Sequence, residues 1–245
     1  MNLQIMLTTE GCFRKIFFCI AICLTACVSD PKSHEAIVSN AQQVKEITSK
    51  ALSYVVDNET SKITWVGTKP TGRHEGIIPI ASGEISTEDS EIIGGSIVMD
   101  LKGIDVMDLP VGSEDYTKLT THLKSIDFFD VASHPKALFE ITELSAVKKG
   151  DQWPGKEAKG EFTIENPNHL ITGNLTIKDV TLSITFPVKI QLSADSISAE
   201  ARFNIDRTRW GVSYNQESKF VDKAKDGLIY NTVNVGFNLR AKSSR

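Results

Sequence analysis

From Leu52 onward, apolar and polar residues alternate in short runs. Ile63, Trp65 and Gly67 share one parity, and Ile97, Met99 and Leu101 share another run. Ile171 to Ile177 alternates cleanly, and Leu182 to Ile190 keeps the pattern for nine residues. Ala201 to Asp206 and Val233 to Arg240 repeat it. A period of two puts one face of a strand in an apolar interior and the other in water. The outward sets are Thr, Ser, Asn, Lys and Arg, the composition of a solvated sheet face. Antiparallel sheets with one wet face read this way, whereas parallel sheets covered by helices read as continuous apolar runs. Turn residues punctuate the runs at Gly94-Gly95, Lys149-Gly150-Asp151, Pro154-Gly155, Asn166-Pro167-Asn168 and Asp226-Gly227. Pro187, inside a strand pattern, marks an edge, a bulge or a break in the ladder.

One segment has helical period instead. Over Glu114 to Ser125, Leu119, Leu123 and then Ile126 fall on one face, with Ser113 as N-cap and two acids in the first turn. About eight strands with one or two short helices and no second core fit an all-β barrel or sandwich over residues 51–245. Closure removes exposed edges, and eight strands leave an interior that is either filled or wide enough for one small ligand.

The first fifty residues follow another pattern. Arg14 and Lys15 precede an apolar run from Ile16 to Ala26. Eleven helical residues span roughly 16 Å, too short for a hydrocarbon core of about 30 Å. A basic stretch before a short apolar one reads as an export signal, assigned to residues 1–26. Leu24-Thr25-Ala26-Cys27 resembles the bacterial lipobox, which implies lipidation of Cys27 and a lipid-anchored, periplasmic or cell-envelope location. The other cysteines, Cys12, Cys19 and Cys23, then leave with the signal, so the folded part has neither free thiol nor disulfide. Residues 27–50 are polar, with apolar positions too sparse for a buried stripe, and are expected to be a tether.

Composition narrows the function classes. With 40% hydrophobic and 24% charged residues the chain is an ordinary globular one. A net charge of −4 without a basic patch argues against nucleic acid. The five histidines show neither i, i+4 spacing nor an HExxH pattern, so no metal site is assigned. No Gly-x-Ser-x-Gly occurs, no catalytic residue is assigned, and no cofactor is called for. His122 and His134 are expected to bond the backbone. Asp206 and Arg207 read either as a barrel-end ion pair or, with Arg209, as a diphosphate clamp. Phe128-Phe129 reads as a hydrophobic plug at a mouth or as a hook that docks the helix.

Three motifs then carry a resemblance. The first is His122-Leu123-Lys124-Ser125-Ile126-Asp127-Phe128-Phe129-Asp130-Val131 with His134-Pro135 and Leu138-Phe139-Glu140-Ile141-Thr142. The second runs from Ile171-Thr172-Gly173-Asn174-Leu175 through Lys178-Asp179-Val180-Thr181 to Phe186-Pro187-Val188. The third is Phe203-Asn204-Ile205-Asp206-Arg207 with Trp210-Gly211-Val212. Together they resemble the signatures of the YceI-like family over roughly Ser53 to Ala241. Asp179 stands where the family usually has Gly, and Trp210 where a smaller aromatic is usual. The resemblance implies an extended, eight-stranded antiparallel, lipocalin-like barrel that holds an isoprenoid chain, such as a polyprenyl or quinone tail, as a non-covalent ligand.

The inward-facing residues agree with that. Trp65, Met99, Phe139 and Ile141 come from the first half, and Leu175, Ile177, Phe186 and Val188 from the middle. Phe203, Ile205, Val235 and Phe237 complete the set. None is ionisable, so the lining suits a chain without hydrogen-bonding groups. Each is read either as ligand contact or as core packing. A lipid-binding envelope protein is therefore the leading expectation. A barrel that is simply full, with a structural or stress-related role, and a hydrolase on the same barrel are the alternatives.

Overall fold

In the computed structural model, residues 31–147, 160–219 and 227–244 are described. The elements are β1 (Ile37–Asn40), β2 (Leu52–Val56), β3 (Lys62–Lys69), β4 (Gly72–Glu88), β5 (Glu91–Asp100), β6 (Asp105–Val106), α1 (Glu114–Lys124), β7 (Lys136–Ala146), β8 (His169–Ile177), β9 (Val180–Leu192), β10 (Ser196–Asp206) and β11 (Thr232–Ser243). Every pairing between strands is antiparallel. The cycle β3-β4-β5-β7-β8-β9-β10-β11 closes on itself, giving the expected eight-stranded barrel. β2 continues the position of β3 toward the other end, pairing with β11 and β4. Single turns of 3-10 helix at Leu101–Gly103, Arg207–Trp210 and Glu217–Lys219 accompany α1.

The two ends of the barrel differ because the connections differ. At one end lie the tight turn between β8 and β9, the long connection 101–135 and the described parts of the connection after β10, 207–219 and 227–231, which form a lid. Lys178 and Asp179 in that turn have φ of 47° and 61°, so Asp occupies a left-handed position that glycine would fill without strain. At the other end Tyr54, 2% exposed, donates its hydroxyl hydrogen to the Ser193 carbonyl at 3.0 Å, with the Ala194 carbonyl at 3.2 Å. That phenol is a floor tied to the turn between β9 and β10.

The helix forms as expected, with Ser113 accepting from Tyr116 N at 3.2 Å. It stops at Lys124 because Ser125 is extended, with ψ of 172°. The chain therefore leaves the helical path before Ile126, which is 76% exposed rather than on the buried face. Phe128 takes its place at 7%.

One expected turn moves. Gly94-Gly95 is not a turn but lies inside β5. Ile47 Cδ1 sits 2.6 Å from where a Gly94 side chain would begin, and the Glu84 carbonyl is equally near at Gly95. The turn itself falls at Asp89-Ser90, both with positive φ. Pro187 lies in the stretch of β9 between its pairing with β1 and its pairing with β10, so its missing N–H costs no ladder bond there. The expected turns at 149–151 and 154–155 lie outside the described residues.

The expected tether is the largest difference. From residue 31 the chain is laid against the barrel as a strap. Asn204 donates its amide hydrogens to the Pro31 carbonyl at 2.7 Å and to Glu35 Oε1 at 2.9 Å. β1 pairs with β9, and Asn174 exchanges two hydrogen bonds with the Gln42 backbone at 2.9 and 2.7 Å. Asn174, Asn204 and Asn234 face outward, yet they are 4%, 1% and 1% exposed. An asparagine amide presents a donor and an acceptor like a peptide group, so it can capture a passing backbone. We expect Asn204→Leu to cost about 2 kcal/mol, since it orphans the buried Pro31 carbonyl and the Asn234 amide that donates to Asn204 Oδ1. Chemical denaturation measures that loss, and amide exchange should show residues 31–36 exposed.

Candidate functional site

The barrel interior holds a cavity of about 210 Å³ that exposes no polar atom. Each strand contributes through its inward parity. β3 gives Ile63, Trp65 and Gly67, and β5 gives Ile97 and Met99. Phe139 and Ile141 come from β7, and Leu175 and Ile177 from β8. Ile184 and Phe186 on β9 face Phe203 and Ile205 on β10, and β11 adds Val235 and Phe237. Phe186 is the hub of the aromatic lining. Its ring stacks on Phe203 at 3.9 Å and meets Phe139 at 5.7 Å and Phe237 at 6.0 Å, geometries favourable to aromatic pairs. Phe139 can lie against the wall because Gly173 is beneath it: a Cβ there would stand 2.4 Å from Phe139 Cζ. At Gly67 the opposite holds, and a Cβ would meet nothing within 4 Å.

Eleven of the twelve expected inward residues line this cavity. Val188 does not. It shares the parity of Phe186 but lies one pair closer to the floor, where it is 0% exposed within the packed core. Residues not assigned from the sequence also contribute. Ile78 and Ile85 come from β4, Leu101 and Ile104 from the connection, and Leu123, Phe128, Phe129 and Trp210 from the lid.

The lid is held by polar groups turned away from the cavity. Arg207 is 6% exposed, and no hydrogen bond of its guanidinium goes to a carboxylate. Its guanidinium donates to four carbonyls instead: Tyr230 at 3.1 Å, Val212 at 2.6 Å, Tyr214 at 2.9 Å and Ile229 at 3.0 Å. Burial pushes its pKa below the ordinary arginine value, partly offset by Asp206 and Glu217. Asp206 caps its own turn, accepting from Thr208 N at 2.9 Å and Thr208 Oγ1 at 2.6 Å. The expected ion pair is therefore absent, and a clamp on diphosphate finds its first arginine already engaged. Phe128 and Phe129 prove to be both hook and lining. Phe129 N donates to Leu123 O at 3.2 Å while both rings face the cavity.

His122 and His134 bond carboxylates rather than backbone, at 3.1 Å to Asp127 and 3.3 Å to Asp179. His122 also meets the rings of Phe128 and Tyr214 edge-on, at 5.0 and 4.6 Å. Among the described residues no three His, Cys, Asp or Glu converge as a metal site.

The three sequence motifs meet at this lid. His134 of the first reaches Asp179 of the second, and Lys178 Nζ donates to Phe128 O at 2.9 Å. Trp210 of the third, fully buried, donates Nε1–H to Leu175 O of the second at 2.9 Å. One domain family matches the chain over residues 54–241, from the floor tyrosine to the last strand, and its description is YceI-like domain. The chain belongs to that family.

No curated protein matches the chain in sequence. Solved structures share the barrel. The Burkholderia cenocepacia protein BcnA superposes with a TM-score of 0.51 at 18% identity, covering 76% of this chain and 98% of its own. A polyisoprenoid binding domain from Saccharophagus degradans, implicated in plant cell wall breakdown, gives 0.51 at 16%, covering 78% and 99%. At such identities the likeness is one of fold. Cys27 and the expected export signal lie outside the described residues, and no described helix is long and apolar enough to cross a membrane.

Proposed function

We propose that this YceI-like barrel holds the apolar chain of an isoprenoid-like lipid, such as a polyprenyl or quinone tail. Through a lipid on Cys27 it would do so at a membrane of the cell envelope. The observation that carries the reading is the cavity: about 210 Å³, inside a closed barrel, with carbon as its whole surface. A ligand without hydrogen-bonding groups loses nothing there, and each buried CH₂ contributes roughly 0.8 kcal/mol. A partner with polar groups along its length would leave them unsatisfied. The name of the Saccharophagus degradans domain points to the same class of ligand.

The mechanism is burial rather than chemistry. Among the described residues no histidine or carboxylate lines the cavity, and the one charged lining residue, Arg207, spends its donors on carbonyls. A filled, purely structural barrel is opposed by the open volume itself.

Organic extraction of the purified protein, followed by mass spectrometry, is expected to release a polyprenyl or quinone species, or to show uptake of added polyprenol. Gly67→Phe supplies the control, because its ring would enter the open space beside Gly67. It is expected to lower uptake at least tenfold with little change in melting temperature. Undiminished uptake by that variant would place the ligand outside the barrel and sink the reading.

A further inference from the structure

The barrel wall is uneven. The ladder between β9 and β10 has four residue pairs, from Ile197↔Leu192 to Glu200↔Lys189. Among the described residues the neighbouring ladders are far longer, with nine pairs between β8 and β9 and eleven between β10 and β11. Toward the lid β9 and β10 diverge, and the fork between them is filled by the strap. On the β10 side, Asn204 N donates to His34 O at 2.7 Å and Ala36 N to Asn204 O at 2.9 Å. On the β9 side, Ile37 to Asn40 pair with Thr185 to Leu182.

Immediately inside this fork lies the cavity. Phe186 and Ile184 line it from β9 and Phe203 and Ile205 from β10, with the stacked Phe186 and Phe203 rings spanning the gap. Ala36 and Val38 of the strap pack on the same core, whereas Ile37 is 45% exposed. Here a segment outside the eight-strand cycle separates cavity from water. It can leave without breaking any ladder of that cycle.

Among the described residues, both ends are tied shut by bonds to the strands of the cycle or to the turns between them. The lid is latched by the four bonds of Arg207, the Trp210 bond to β8 and the Lys178 bond to Phe128. The floor is closed by Tyr54. Local opening proceeds in contiguous units, and an added edge strand can open as one unit while every ladder of the barrel cycle stays paired.

We propose that the fork between β9 and β10 is the portal of the cavity, and that residues 34–40 are its removable bar. An apolar chain enters sideways between Phe186 and Phe203 while its polar end stays in water, and the strap re-pairs behind it. The inference rests on the lipid-binding reading above.

A reversible lock tests it. Ser39 and Ser183 are directly opposed on β1 and β9, and Ser183 shares the parity opposite to the cavity-lining Ile184. Ser39→Cys with Ser183→Cys, in the full chain with Cys12, Cys19, Cys23 and Cys27 replaced by serine, places a disulfide across the bar. The probe is geranylgeraniol delivered from phosphatidylcholine vesicles, quantified at timed intervals by extraction. The oxidised form is expected to take up and release the probe at least tenfold more slowly than the reduced form, with the same final occupancy. Ala36→Pro removes the N–H that holds the bar to Asn204 and is expected to speed exchange several-fold. Equal rates in oxidised, reduced and proline forms would overturn the portal and direct the chain through the lid. No uptake by any form, the unmodified protein included, would overturn the binding reading and the portal with it.

Discussion

Trp210→Ala is expected to be the most damaging single substitution in this barrel. The indole is fully buried, fills the space between lid and cavity, and ties the end of β10 to Leu175 on β8. Truncation removes its packing and leaves a void in a lid that cannot collapse freely, because Arg207 and the surrounding carbonyls hold its shape. Large-to-small changes of this kind cost about 3–5 kcal/mol. In a domain of this size that lowers the melting temperature by on the order of 10 °C. Trp210→Phe separates the contributions. It keeps most of the ring and loses the hydrogen bond, so a loss of about 1–2 kcal/mol is expected. Denaturant titration of the two variants provides the comparison. Equal losses would mean that the hydrogen bond, not the volume, holds the lid.

The unusual size of Trp210 was visible in the sequence, but its partner was not. The same division runs through the molecule. Strands with unbroken alternation, such as Leu182 to Ile190 and Val233 to Arg240, could be read directly because one parity faces carbon along their length. β4 could not. Its register against β5 shifts between Ile80 and Ser82, where the extra residue Ala81 resets which parity faces inward. Ile78 and Ile85 therefore line one cavity from opposite parities, a pattern that no period-two reading joins.

The strap was hidden for a different reason. Asn174, Asn204 and Asn234 sit at outward positions, where asparagine suggests water. An amide that bonds water and an amide that bonds a crossing backbone leave the same letter in the sequence. Residues 31–42 carry few apolar side chains because their attachment is made largely by backbone groups and these amides, so hydrophobicity could not reveal it. The cavity lining was legible for the complementary reason: burial against carbon demands carbon at every inward site. What parity cannot show is where a cavity ends. Val188 continues the pattern of Phe186 and is nevertheless solid core.

Arg207→Met should open the lid where Trp210→Ala empties it. The guanidinium serves four carbonyls from two separated stretches, Val212 and Tyr214 on one side and Ile229 and Tyr230 on the other. A planar fork with five donors can do this, whereas lysine, with three donors on one nitrogen, cannot reach the same set. Methionine matches the length of the stem but leaves these acceptors without partners. Each charge-assisted bond removed costs about 1.5–3 kcal/mol, but deleting the ion also relieves its own desolvation, so the expected net loss is about 3 kcal/mol. Arg207→Lys should fall between methionine and the unchanged protein. Because the lost bonds all go to residues 212–214 and 229–230, the damage should be local. Amide exchange there should accelerate strongly, while β4, β5 and β7 keep their protection. If the portal lies between β9 and β10, loosening this lid should change the exchange rate of a bound apolar chain far less than proline in the strap does. A larger effect from Arg207→Met than from Ala36→Pro would assign the route to the lid.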